Sequence, residues 1–460
     1  LKKEYNLLNK KEKSLVDDYL DLLVENKKIN FISSNDLKYF IGLKLKEKLD
    51  IIKVEKNIYS LTDNKVPDRY KIVNSDIPIN IKKKCLDKYN SFKQLELGSN
   101  EYNKLHSWIT GLINIPWNNY KNIDFKNKNF YDYLKDSKEK LDKSIYGQEK
   151  TKQNIIQLVS KLITNPKSIG NVFSIYGPMG TGKTTIIKNG LSKILGLPFN
   201  FISLGGSSDS SFLEGHSYTY EGSIPGRIVE SLKQSKCMNP IFYFDELDKV
   251  SDTAKGKEII NLLIHLTDPS QNSHFNDKYY GDIPFDLSKA IFIFSFNNIE
   301  LINPILKDRM NIIKVDGFNK NEKFNIFKNF LIKDIFKQYN FEKEEIIISD
   351  ENIKYIINKT NDKEKGVRNL KRQLENIISI LNVIRLSFLD NKVRKRKKIK
   401  LEKLNYENLK KILPFLKSNL SNIDNLLENI KIPIELNKDL IDLFLENIDK
   451  PDFKIESMYT

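Results

Sequence analysis

Cysteine is nearly absent: Cys85 and Cys237 are the only two in 460 residues. So few, so far apart, they exclude a disulfide framework and a cysteine zinc site, and they fit a reducing, intracellular compartment. The four histidines (His106, His216, His265, His274) have no metal-ligand spacing and read as surface or packing residues. No stretch has the layout of a secretory leader, and no apolar run reaches the roughly eighteen residues that span a bilayer. A cytoplasmic protein with no membrane partner is expected. Glycine is missing after Gly366.

What is present bounds the rest. A hydrophobic fraction of 40% is enough for real cores, and the length suits roughly two to four domains. The formal net charge of +16 permits nucleic acid or other polyanions as partners without establishing them. Heavy use of lysine, asparagine and isoleucine is also what an AT-rich genome would produce. The chain opens on Leu1, which implies trimming or processing at its N-terminus.

The strongest signal lies at Gly177–Thr184, G-P-M-G-T-G-K-T, entered from the apolar run Asn171–Tyr176 and followed by an amphipathic helix over 185–195. This is the phosphate-loop pattern in its required strand–loop–helix setting. Gly177, Pro178, Met179, Gly180, Thr181 and Gly182 would wrap backbone N–H groups around phosphates, and Thr185 opens the helix whose N-terminus adds its dipole. Lys183 would reach the β- and γ-phosphates, and the Thr184 hydroxyl would hold Mg²⁺. ATP and Mg²⁺ are therefore the expected cofactors. About sixty residues on, Pro240–Val250 read P-I-F-Y-F-D-E-L-D-K-V, an apolar strand ending in carboxylates. Asp245 would bind Mg²⁺ beside the loop, and Glu246 would orient and deprotonate the attacking water.

Five continuous apolar runs (172–176, 199–203, 241–244, 290–295 and 312–315) suit a parallel sheet covered on both faces by helices. Asn297 follows the fourth. If that strand neighbours the phosphate-loop strand, Asn297 faces the γ-phosphate; otherwise it is an ordinary turn residue. The chain divides into 1–65, a small domain; 66–130, helical; 131–317, strand–helix alternation; 318–390, helical; and 391–460, a basic helical extension. Within 1–65, a helix over 10–25, a helix start at Ser33–Asp36, a charged helix and two short strands over 51–61 give the order of a winged helix. A plain helical docking domain is the alternative.

Several further segments together resemble the AAA+ ATPase module of the Lon proteases. They are F-I-S-L-G-G through G-H-S-Y-T-Y-E-G-S-I-P-G-R-I-V at 201–229, D-P-S-Q-N at 268–272, P-F-D-L-S-K at 284–289, D-R-M at 308–310 and K-G-V-R-N-L at 365–370. The likeness covers about residues 75–390. It implies an α/β P-loop NTPase core with a parallel sheet and helical lid, flanked by mostly helical N- and C-terminal regions. It also implies that Tyr146 and Gly147 contact adenine and that Asn297 senses the γ-phosphate. By the same likeness, Arg309 is an arginine finger for the neighbouring subunit, and Arg368 is a second sensor on the lid. A finger acting in trans implies a homo-oligomeric ring, a hexamer.

Tyr220 matches the aromatic of a pore loop that grips extended polypeptide, through apolar contact indifferent to sequence. Glu221 departs from the family, which has an aliphatic residue there, and would line the pore with acid. The family's peptidase domain, with its serine–lysine dyad and glycine-flanked serine, has no counterpart after Gly366, so no peptide cleavage is expected.

A ring ATPase that unfolds or remodels protein by threading is thus the leading expectation. A nucleic-acid-associated ATPase, drawn by the net charge and by the basic run Lys392–Lys400, is the alternative. That run also reads as a nuclear address or as a solvated loop. Apolar residues at helical spacing over 432–446 are expected to pack against the ring or a partner.

Overall fold

The computed structural model describes residues 5–6, 8–25, 32–61, 66–96, 98–123, 125, 129–166, 168–206, 209–342, 345–359, 364–388 and 433–445. The chain divides into two compact units, Leu1–Asn118 and Asn119–Thr460. The division falls inside the span read as one helical region, 66–130. The basic run at 392–400 lies outside the described residues.

Every described secondary-structure element of the first unit is a helix. The helix Lys10–Glu25 forms where its apolar spacing placed it. The helix Ser34–Gly42 begins at Ser33 with a full capping box: Ser33 Oγ accepts from the Asp36 N–H, and the Asp36 carboxylate accepts from the Ser33 N–H. The expected strands over 51–61 do not form; Leu45–Leu61 is one helix. The Glu-Lys-Asn centre has no glycine to take the positive φ that a tight hairpin turn demands, and among the described side chains of 51–58 only Ile52 is a buried apolar residue. The hairpin of a winged helix is therefore missing. Val16, Tyr19, Leu23, Phe40 and Ile41 complete the small core around Ile52.

The second unit is built on a five-stranded parallel sheet. Its strands are β1 (Asn171–Tyr176), β2 (Phe199–Ser203), β3 (Ile241–Asp245), β6 (Ile291–Phe296) and β7 (Asn311–Lys314), ordered β2-β3-β6-β1-β7. Between β3 and β6 the chain makes a short antiparallel pair, β4 (Phe275–Asn276) with β5 (Pro284–Phe285). All five expected sheet strands are present. Successive side chains alternate between faces. Phe242 stacks on Phe292 and Phe244 on Phe294 on one face. Ile241, Tyr243, Ile291 and Ile293 join the core on the other. Both faces of the central strands β1, β3 and β6 are covered, which is why those runs are predominantly apolar. The strand order changes direction at β1, and ligands bind at such a point beyond the carboxyl ends of the strands.

The lid follows. A helical stretch runs through Lys320–Ile326, Phe327–Leu331 and Ile332–Tyr339, and the helices Asp350–Lys359 and Arg368–Phe388 pack with it. Residues 433–445, assigned from sequence to a separate extension, belong to this body. β8 (Ile346–Ile347) pairs in parallel with β9 (Ile434–Glu435), and Lys438–Leu445 is a helix. Ile434, Ile441 and Phe444 enter the same apolar core as Ile353, Leu374 and Ile378. The Tyr355 hydroxyl donates to the Asp442 carboxylate, which also pairs with Lys359 at 3.2 Å. The segment expected on the ring or a partner closes the lid instead. None of the described helices is long and apolar enough to cross a membrane.

Candidate active site

A cavity of about 650 Å³ opens at the carboxyl ends of β1, β3 and β6, within the size range of small-ligand sites. Met179 to Thr185 form its floor, Asp245, Glu246 and Asn297 one wall, and Phe330, Asp334, Arg368 and Lys371 of the lid the opposite wall. Residues from four parts of the chain thus meet around one space.

Lys183 is the centre of the polar network. Its ammonium donates to the carbonyls of Gly177 (2.7 Å) and Pro178 (3.0 Å) and to Asn297 Oδ1 (2.8 Å). Burial pulls its pKa below the ordinary lysine value, opposed by the carboxylates of Asp245 and Asp248. A phosphate arriving in the cavity would reverse that shift, because an anion replaces the solvation that the ammonium lost. Thr184 Oγ1 lies 3.1 Å from the Tyr243 hydroxyl, whose own pKa burial pushes up to about 12. Asp245 Oδ1 accepts from Ser295 Oγ on the next strand. Glu246 sits just past β3 with φ +59°, against Gly205.

β6 pairs with both β1 and β3, so Asn297 at its end stands between the phosphate loop and the carboxylates. Asn297 lines the cavity there, as the neighbouring-strand expectation required. Asp248 was not singled out from the sequence. It is buried, and its Oδ2 accepts from the N–H groups of Asn297 (3.0 Å) and Asn298 (3.1 Å). Its Oδ1 is buried with no hydrogen-bond partner. The third acidic residue of D-E-L-D was the available signal.

The lid docks directly on the phosphate loop. A Cβ on Gly366 would lie 1.9 Å from the Met179 carbonyl oxygen, and one on Gly180 2.8 Å from Arg368 N. The Val367 N–H donates to the Gly180 carbonyl at 3.1 Å. Both glycines are needed for that approach, which delivers Arg368 to the cavity wall. Tyr146 also lines the cavity, with its hydroxyl accepting from Asn325 Nδ2 at 2.9 Å and its ring edge-on to Phe330. Gly147 takes φ +62° beside it and is not among the lining residues.

Three predicted residues stand elsewhere. Arg309 pairs with Asp268 at 3.1 Å and donates to the Ile264 carbonyl at 2.6 Å, and it does not line its own chain's cavity. Tyr220 is 67% exposed, on a loop that also carries the exposed Glu221.

The donor set fits a nucleoside triphosphate with a divalent cation. A lysine and the start of a helix face the cavity, and the Thr184 hydroxyl and the Asp245 carboxylate line it as oxygens that would suit the cation. Such a site can place a water, take its proton and balance charge on a departing phosphate.

Comparison with known proteins agrees with this geometry. Residues 173–317 match the family described as ATPase family associated with various cellular activities (AAA). The chain is 38% identical over 378 residues to a Lon protease homolog of Acanthamoeba polyphaga mimivirus, covering 79% of this chain and 36% of that protein. It is 34% identical to the Lon protease of Mycoplasma genitalium and 31% to that of Ureaplasma parvum, each over 80% of this chain and 44% of the relative. The chain therefore spans well under half the length of these relatives.

Proposed function

Starting from the fact that this chain carries an AAA ATPase module of the Lon type, we propose that it hydrolyses ATP in the Lys183 cavity and uses the turnover to thread polypeptide through a homo-oligomeric ring. The carrying observation is the convergence of Lys183, Asn297, Asp245, Glu246 and the lid's Arg368 on one cavity.

In the proposed reaction Glu246 takes a proton from a water that Asn297 holds in line with the γ-phosphorus. The water oxygen bonds to phosphorus, the bond to the bridging oxygen breaks, and ADP and phosphate leave. Lys183 balances the charge gathering on the phosphate oxygens, and Arg368 does so from the lid. A bound Mg²⁺, held by Thr184 and Asp245, supplies further positive charge there. Arg309 does not line its own chain's cavity, which supports a role as a finger in a neighbouring copy's site. That role requires the ring, for which a hexamer is proposed.

The exposure of Tyr220 supports its assignment as the polypeptide grip. Glu221 beside it would favour basic or neutral segments over acidic ones. These 460 residues hold no glycine-flanked serine after Gly366, so they are proposed not to cleave peptide bonds themselves. The net charge of +16 favours nucleic acid as the second reading.

The test is steady-state ATP turnover at physiological salt, alone, with unfolded casein, and with single- or double-stranded DNA. Stimulation by casein that disappears in Tyr220→Ala supports threading. Stimulation by DNA that Tyr220→Ala leaves intact replaces it with the nucleic-acid reading.

A further inference from the structure

Asp277 is fully buried, immediately after β4, and takes no part in the nucleotide cavity. Its Oδ2 accepts from the Gly226 N–H at 2.8 Å and its Oδ1 from the Tyr279 N–H at 2.9 Å. Gly226 ends the exposed loop 215–226 and begins the helix Arg227–Ser235. The loop's other end reaches the same point. A Cβ on Gly215 would lie 2.7 Å from Asp277 Oδ1 and 2.9 Å from Gly226 N. Both ends of the loop are pinched together, and a carboxylate fills the pinch.

A second tie runs alongside. The Lys278 N–H donates to the Glu214 carbonyl at 2.7 Å, and the Lys278 ammonium pairs with the Glu214 carboxylate. Tyr218, inside the loop, meets Tyr279 edge-on at 5.8 Å between ring centres. Beyond this base the loop is tied to itself, with the Ser217 and Thr219 hydroxyls 2.9 Å apart and Ser223 Oγ donating to the Tyr218 carbonyl at 3.4 Å. His216 N donates to Ile224 O at 3.2 Å and Tyr220 N to Ser217 O at 3.1 Å, while Tyr220 and Ile224 are 67% and 61% exposed.

A carboxyl group in the dry interior is expensive unless hydrogen bonds hold it. Burial pushes Asp277 up to about 7, against the backbone N–H groups of Gly226, Tyr279 and Tyr280 and the Lys233 ammonium. Those N–H groups belong to the loop end and to the turn after β4. The arrangement therefore joins two segments, where apolar filling would only occupy space.

We infer that Asp277 is a positioning residue for the Tyr220 loop: it clamps both ends of residues 215–226, so that displacement of the loop's base reaches Tyr220 and is not absorbed by flexing. Its consequence for grip rests on the threading reading; the clamp itself does not.

The experiment uses the full chain with Asp277→Asn, which keeps the shape and one acceptor oxygen but turns an NH₂ group toward a backbone N–H. Hydrogen exchange of amides 216–224 reads the clamp, and the casein concentration giving half-maximal stimulation of ATP turnover reads the grip. Exchange severalfold faster, up to about tenfold, is expected from the loss of one hydrogen bond. The half-saturating casein concentration should rise severalfold, with nucleotide affinity within twofold. Unchanged exchange overturns the clamp. Faster exchange with casein saturating at the same concentration overturns its role in grip. Faster exchange in a chain whose turnover never responds to casein upholds the clamp and refutes threading instead. If Asp277→Asn does not fold, Lys278→Ala removes the ion pair of the second tie and keeps its backbone hydrogen bond; it should speed exchange in the same amides by a smaller factor, and no change there counts against the clamp.

Discussion

Gly205→Ala separates folding from catalysis at the proposed site. An ideal Cβ on Gly205 would lie 2.1 Å from Glu246 Oε2 and 3.4 Å from Glu246 Cβ. Ordinary contact begins near 3.4 Å, so the carboxylate must withdraw by about 1 Å, a misplacement worth on the order of 10²-fold at a reacting centre. The cost in stability is small. Glu246 Oε2 is the free end of a flexible side chain, whose off-rotamer penalty is about 1 kcal/mol. Gly205 is not among the glycines with positive φ, so the smaller unfolded-state entropy of alanine returns about 0.4–1 kcal/mol. Catalysis should fall while folding and ATP binding hold. The assay is phosphate release at saturating ATP, with nucleotide affinity and melting temperature measured on the same preparation. A turnover number within about threefold of the unsubstituted chain, below the misplacement cost expected of a displaced base, would refute the placement of Glu246 as the base. Weakened ATP affinity at unchanged turnover would refute it equally.

Three further outcomes are expected. Lys183→Ala should lose nucleotide binding by at least about tenfold in equilibrium titration, since it removes a charge-assisted contact worth roughly 1.5–3 kcal/mol. Arg309→Ala should bind ATP without turning it over, and mixing it with Glu246→Gln subunits should restore measurable turnover; no recovery at any ratio counts against a finger acting in trans. The third concerns pH. Asp277 stands at about 7 in the folded chain against an ordinary 3.8, because burial disfavours its charge. The folded chain then keeps a proton that the unfolded chain has released. This group favours folding below the window from 3.8 to about 7 and loses that contribution as pH rises through it, a change of up to about 4 kcal/mol. The melting temperature of the unsubstituted chain relative to Asp277→Asn should therefore be higher at pH 5 than at pH 8. An equal or reversed difference would show that the carboxyl is not held up.

The nucleotide site was legible because its signals are local. Residues 177–184 carry their own turn chemistry, and the central strands are predominantly apolar because both their faces are covered. What escaped depends on contacts distant in sequence. Residues 51–61 offered an alternation that fits strands and a spacing that fits a helix, and the missing glycine should have decided for the helix. Residues 433–445 looked like an appendage because their strand partner, Ile346–Ile347, lies far upstream. Gly366 was read as part of the motif carrying Arg368, but its need to be glycine comes from the Met179 carbonyl pressed against it. Asp248 was in plain view in D-E-L-D, yet only the placement of β6 between β1 and β3 shows what it holds.

The measurement closest to the central claim compares ATP binding and phosphate release in the unsubstituted chain and in Glu246→Gln, which removes the base and keeps the cavity's shape. Comparable nucleotide affinity in both, with turnover lower by at least about a hundredfold in the variant, is the expected result. An unsubstituted chain that binds no nucleotide, or equal turnover in the two proteins, would contradict it.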